Sequence, residues 1–109
     1  MIKFTPEQEE FRRAVARFVD AEVVPVAAAI DERGEFPREL FKRVGALGYL
    51  GLRYPEAYGG ADADTVTYCL FAEELARGSL SLAAVCGMQS LMGTYFIYKY
   101  GSEAIRQKY

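Results

Sequence analysis

From Phe11 onward apolar side chains return every three or four residues: Phe11, Val15 and Phe18, with Ala14, Val19 and Val23 widening the stripe and only Glu22 breaking it. That period puts them on one face of an amphipathic helix. Its start is written in Thr5-Pro6-Glu7-Gln8. Threonine caps the first turn, proline fits the first helical position, and Gln8 reaches back to the Thr5 amide. Pro25 stands inside the continuing pattern and removes one backbone donor, which predicts a kink near Ala21–Val24. The pattern resumes over Ala27–Ile30 and stops at Gly34.

A second helix is expected from about Pro37, burying Leu40, Phe41, Val44 and Leu47 and closing at Gly48. Tyr49–Asp64 mixes aromatic residues with Gly51, Pro55, Gly59 and Gly60, a composition that opposes a continuous helix and reads as a packed, irregular connection. Asp64 or Thr65 opens a helix that Gly78 ends. Ser79 caps a long apolar helix, Gly101 stops it, and Ser102 caps a last one with Glu103 in its first turn. That last helix reaches Tyr109 without a stop signal, in mid-element, and a helix of about two turns needs packing or continuation to be stable. No segment alternates with the period of a strand. The fold class is all-α, an orthogonal or up-and-down bundle of about five helices with no sheet.

Composition supports one globular unit: of 109 residues, 51% are hydrophobic and 26% charged. The net charge of −2, with no run of as many as about five like charges, gives no field for a nucleic-acid backbone. Cys69 and Cys86 lie in apolar stretches without ligand spacing, so both are expected as buried free thiols, with neither disulfide nor metal. The opening residues lack the apolar core of a secretory signal, which makes a cytoplasmic protein the expectation. Ser79–Tyr98 is a run of 20 residues without a charge, long enough to span a bilayer. Ser79, Ser81, Gln89, Ser90 and Thr94 interrupt it, and a helix enclosed by protein satisfies such groups where hydrocarbon does not. A buried helix is therefore expected in place of a membrane span.

The chain has no histidine, which removes the usual base of a hydrolytic triad and the commonest metal ligand. Gly45, Gly48 and Gly51 match neither the dinucleotide fingerprint nor the P-loop. Glu73 and Glu74 are neighbours on a helix, point about 100° apart, and read as surface ion-pairing groups. Ala83, Gly87 and Leu91 fall at i, i+4 and i+8 on the long helix, with Ala84 beside them. Such a stripe of small residues serves either close helix packing or an apolar slot for a ligand chain.

Four separated stretches then act together: Gly45-Ala46-Leu47-Gly48-Tyr49-Leu50-Gly51-Leu52, Tyr54-Pro55-Glu56-Ala57-Tyr58-Gly59-Gly60, Glu73-Glu74-Leu75-Ala76-Arg77-Gly78, and Tyr100-Gly101-Ser102-Glu103 through Tyr109. In this order, behind the Thr5-Pro6-Glu7-Gln8 opening, they resemble the acyl-CoA dehydrogenase family over essentially the whole chain. The resemblance implies that residues 1–109 are the N-terminal helical domain, without the middle β-domain and C-terminal helical domain that mainly hold FAD. It implies that the long helix is a wall of the acyl pocket, with Ala83, Ala84, Gly87 and Leu91 as substrate-binding residues. It supplies no catalytic residue here, since the family's glutamate base belongs to the C-terminal domain. It implies an acyl-CoA substrate, electron-transfer flavoprotein as electron acceptor and a homotetramer for the full-length enzyme, with these residues alone inactive. Members acting on dicarboxylic substrates carry arginine and a hydroxyl residue where Ala83 and Gly87 stand, so a mono-carboxyl acyl group is expected. The competing expectation is a non-catalytic helical module that binds a partner protein through the apolar helix.

Overall fold

A computed structural model describes the whole chain, Met1–Tyr109. It has helices α1 (Pro6–Phe18), α2 (Val24–Arg33), α3 (Arg38–Ala46), α4 (Thr65–Gly78), α5 (Leu80–Gly87), α6 (Thr94–Tyr100) and α7 (Glu103–Lys108), and no strand. Wider π-helical turns, Val19–Val23 and Met88–Gly93, run α1 into α2 and α5 into α6, so the chain makes five helical rods.

The caps are those the sequence announces. Thr5 Oγ1 accepts from the Gln8 amide at 3.1 Å while Gln8 Oε1 accepts from the Thr5 amide at 3.0 Å. Asp64, Ser79 and Ser102 each take the amide three residues on. The kink expected near Ala21–Val24 takes the form of the first π turn, in which the Val24 amide reaches back to the Val19 carbonyl. Pro25 lies in the first turn of α2, and the wider turn ahead of it is how the helix accommodates a residue without an N–H.

The core lies where α1, its π turn and α5 pack on α4. Val15, Val19, Val23, Leu75 and Leu82 are fully buried and Phe71 nearly so, each worth about 1.5–3 kcal/mol of transfer free energy. Gly78 permits the crossing: a Cβ there would stand 2.5 Å from Val19 Cγ1 and 3.0 Å from Val23 Cγ1. Tyr49 begins the irregular connection and packs its ring at 5.9 Å from Phe11 and 5.4 Å from Phe71. The connection contains two 3-10 turns, Tyr49–Gly51 and Glu56–Tyr58.

Three expectations are corrected. Cys69 is exposed and only Cys86 is buried, because α4 turns Tyr68, Phe71 and Leu75 inward and the residue after Tyr68 points elsewhere. Leu47 lies past the end of α3 and is exposed. Glu74 is not a surface group but is 6% exposed, bonded to Arg12 and Arg77, whereas Glu73 is exposed. The long helix Leu80–Tyr100, expected as a buried helix of a larger protein, is only partly covered within this chain. α3, α4, α7 and the connection pack against it, and Leu80, Met88, Met92 and Phe96 stay more than half exposed.

Candidate functional site

One flank of the long helix is seated and the other is open. Leu82, Cys86 and Ser90 face the core at 0, 0 and 3% exposure. Of the four residues singled out in the sequence, Ala83 and Gly87 are half-buried, while Ala84 and Leu91 are exposed. Ala83 packs against the core cluster. Ala83 and Gly87 stand one α-helical turn apart on α5, whereas Leu91 lies inside the second π turn, so regular four-residue spacing does not carry beyond Met88. The four line none of the main clefts of the chain. The best-formed of these, about 230 Å³, lies between Tyr54, Tyr58, Ile97, Tyr98 and Arg106.

Gly87 distinguishes the two readings of the small-residue stripe. A Cβ built there meets nothing closer than the Tyr68 hydroxyl, at 4.0 Å, in contrast to the 2.5 Å clash at Gly78. Helix packing inside this chain therefore requires glycine at position 78 and not at position 87. Gly87 itself is half-buried, with the exposed Ala84, Met88 and Leu91 around it on the helix.

Behind that flank runs a polar network that the sequence reading did not name. Ser90 Oγ donates to the Cys86 carbonyl at 2.8 Å, the Tyr68 hydroxyl is 2.7 Å from the same oxygen, and the Tyr54 hydroxyl donates to the Ser90 carbonyl. Its only signal in the sequence was Ser90 itself, a polar residue in an apolar run that needs a partner. The Arg53 guanidinium covers the Tyr68 ring at 5.8 Å.

Burial pushes the Cys86 thiol up from 9.0 to about 11, and it also raises the Tyr49 and Tyr54 phenols above their ordinary value. All three are neutral in the fold at physiological pH, which leaves no activated nucleophile here. The sign of the pH effect follows. The folded state holds these protons more tightly than the unfolded chain, so the associated stability is complete below about pH 9 and is lost as pH rises toward 11. Denaturant melts should hold level through neutral pH and lose about 2 kcal/mol or more by pH 11. In the same folded protein one thiol of the two, Cys69, should react with a thiol reagent, and two equally fast thiols would contradict the placement of Cys86.

Several helix N-termini are closed by their own side chains, at Thr5, Asp64, Ser79 and Ser102. None opens from a glycine-rich turn of the dinucleotide type, so these residues do not suit a pyrophosphate cradle.

Comparison with known proteins gives a consistent answer. The family model described as "Acyl-CoA dehydrogenase, N-terminal domain" matches residues 5–109. The benzylmalonyl-CoA dehydrogenase of Aromatoleum aromaticum is 45% identical over 104 residues, covering 95% of this chain and 28% of that protein. The 3-(aryl)acrylate reductase of Clostridium sporogenes is 36% identical over 108 residues, covering 97% of this chain and 28% of that protein. A solved glutaryl-coenzyme A dehydrogenase in complex with glutaryl-CoA superimposes with a TM-score of 0.91 at 35% identity, over 100% of this chain and 28% of that one. The chain thus spans a little over a quarter of the length of the relatives it matches. By sequence and fold together, it belongs to the acyl-CoA dehydrogenase family, whose N-terminal helical domain it matches.

Proposed function

We propose that residues 1–109 act as the N-terminal domain of an FAD-dependent enzyme that dehydrogenates an acyl-CoA thioester between its α and β carbons. In this reading the open flank of the long helix is one wall of the acyl pocket, bordered by Ala83, Ala84, Gly87 and Leu91. It faces polypeptide and substrate and is not a membrane span, although by length and composition alone the helix could cross a bilayer. FAD and the catalytic base belong to polypeptide outside these residues, so the 109 residues alone bind no flavin and oxidise no acyl-CoA. Electron-transfer flavoprotein as acceptor and a homotetrameric enzyme complete the proposal.

The observation that carries it is the unfilled space at the half-buried Gly87, beside the exposed Ala84, Met88 and Leu91. The test is Gly87→Leu in the complete gene product. With long or bulky acyl-CoA thioesters kcat/KM should fall tenfold or more, roughly the discrimination of one or two methylenes in a hydrophobic pocket, while butyryl-CoA suffers least. Gly87→Ala is the control: its Cβ stands 4.0 Å from the nearest atom and alanine is the better helix former, so that variant should keep wild-type stability. An unchanged chain-length preference would assign Gly87 to packing alone.

The same wall favours a mono-carboxyl acyl group. Benzylmalonyl and glutaryl groups, named for two of the relatives, carry a second carboxylate. Ala83 and Gly87 offer such a group neither charge nor donor, and a buried carboxylate without either is costly. Preference for glutaryl-CoA over a straight or branched monoacyl-CoA would overturn this. The second reading, a helical module that binds a partner protein, draws on the exposed Met88, Met92 and Phe96. It predicts a complete gene product without flavin absorbance, where the enzyme reading requires it.

A further inference from the structure

The widened turn Met88–Gly93 is held from outside the helix. In a regular α-helix the Thr94 amide would serve the Ser90 carbonyl, but here it pairs with the Gln89 carbonyl, five residues back. The Thr94 hydroxyl reinforces this by donating to the same Gln89 oxygen at 2.7 Å. The Ser90 carbonyl, bypassed by that amide, takes the hydroxyl of Tyr54 instead. Ser90 Oγ spends its single proton on the Cys86 carbonyl at 2.8 Å, so Tyr68 must be the donor in the 2.7 Å contact between their hydroxyls. Ser90, Tyr68 and Tyr54 are 3, 7 and 9% exposed, which leaves little room for water to take over these bonds. The phenol oxygen of Tyr68 keeps an acceptor lone pair beside the empty position at Gly87.

The turn has a geometric consequence for the acyl wall. One residue more than a straight α-helix allows turns everything beyond it by about 100° relative to what precedes it. The orientation of Met92 and Phe96 relative to Ala84 and Gly87 is therefore set by whether the turn is α or π. We propose that Tyr54, Tyr68 and Ser90 are positioning residues that lock the π turn and thereby decide which bulky acyl groups the wall admits. This rests on the acyl-wall reading of the long helix.

The experiment compares wild type, Tyr68→Phe and Ser90→Ala in the complete gene product, with butyryl-CoA and 3-phenylpropionyl-CoA as probes. Tyr68→Phe keeps the ring and removes only the donor, so it tests the bond without emptying the core. Release of the turn should change the ratio of kcat/KM between the two thioesters by threefold or more, with the change falling mainly on KM for the larger one. Amide hydrogen exchange at Thr94 should accelerate in the same variants. Lower thermal stability with the wild-type ratio of the two thioesters retained would overturn the proposal and leave the network a purely structural role. Failure of the wild type to oxidise any acyl-CoA would instead sink the acyl-wall reading, and the proposal with it.

Discussion

Gly60→Ala is expected to destabilise the protein by at least about 3 kcal/mol, at the upper end of what overpacking does. A Cβ at this position would lie 2.0 Å from the Tyr54 carbonyl oxygen, 2.4 Å from the carbonyl carbon and 2.8 Å from the Gly51 oxygen. All three are backbone atoms, so no side-chain rotation relieves the contact. The connection between α3 and α4 would have to open, breaking the bonds from the Ala61 amide to Gly51 at 3.2 Å and from the Asp62 amide to Tyr54 at 2.9 Å. Tyr54 would move with it and withdraw its hydroxyl from Ser90. Gly59 supplies the internal control. Its φ is 83°, but a Cβ there meets nothing within 4 Å, so Gly59→Ala should cost only about 1–2 kcal/mol of backbone strain. Chemical denaturation of both variants checks the order, and a Gly60→Ala protein within 1 kcal/mol of wild type, on the order of an ordinary surface change, would contradict the close approach.

What was legible in the sequence was what is decided locally. Thr5, Asp64, Ser79 and Ser102 each cap a helix with an amide three residues away, and Pro25 marks its irregular turn because the missing donor belongs to the residue itself. The second π turn carries no such mark. It depends on Tyr54 and Tyr68, 36 and 22 residues from Ser90 in sequence, and helical periodicity contains no information about them. Cys69 and Glu74 were misplaced for a related reason. Apolar neighbours in sequence say little about which of two adjacent helical positions faces inward, and a buried carboxylate is legible only when its arginines are seen to converge. The family was legible because several short motifs kept their order over the whole chain. The proposed acyl wall was written in the sequence only as a stripe of small residues, and its four residues line none of the main clefts of the chain.

That convergence of arginines carries the other large expected effect, a double Arg12→Ala/Arg77→Ala variant losing about 3–5 kcal/mol, more than the sum of its single variants. The Glu74 side chain is 8% exposed, with Oε1 3.3 Å from Arg12 Nε and Oε2 2.8 Å from Arg77 Nε. Arg77 also reaches Asp20 Oδ1 at 2.8 Å, so one cluster ties α1, the first π turn and α4. Arg12 and Arg77 are themselves 37 and 45% exposed, and solvent screens each pair to about 0.5–1 kcal/mol. Either arginine alone still leaves Glu74 a partner, so each single variant should be mild. Arg77→Ala should be the worse of the two because it also releases Asp20. Loss of both leaves a desolvated carboxylate with no counter-charge, and its desolvation cost then appears in full. Replacing Glu74 by leucine in the doubly substituted protein removes the uncompensated charge and should recover much of the loss. A thermodynamic cycle over these variants, measured by denaturant unfolding at fixed salt, reads the coupling directly. If the two arginine variants proved simply additive, and Glu74→Leu restored nothing, Glu74 would have to be hydrated in solution and the joint between α1 and α4 would be held by its apolar contacts alone.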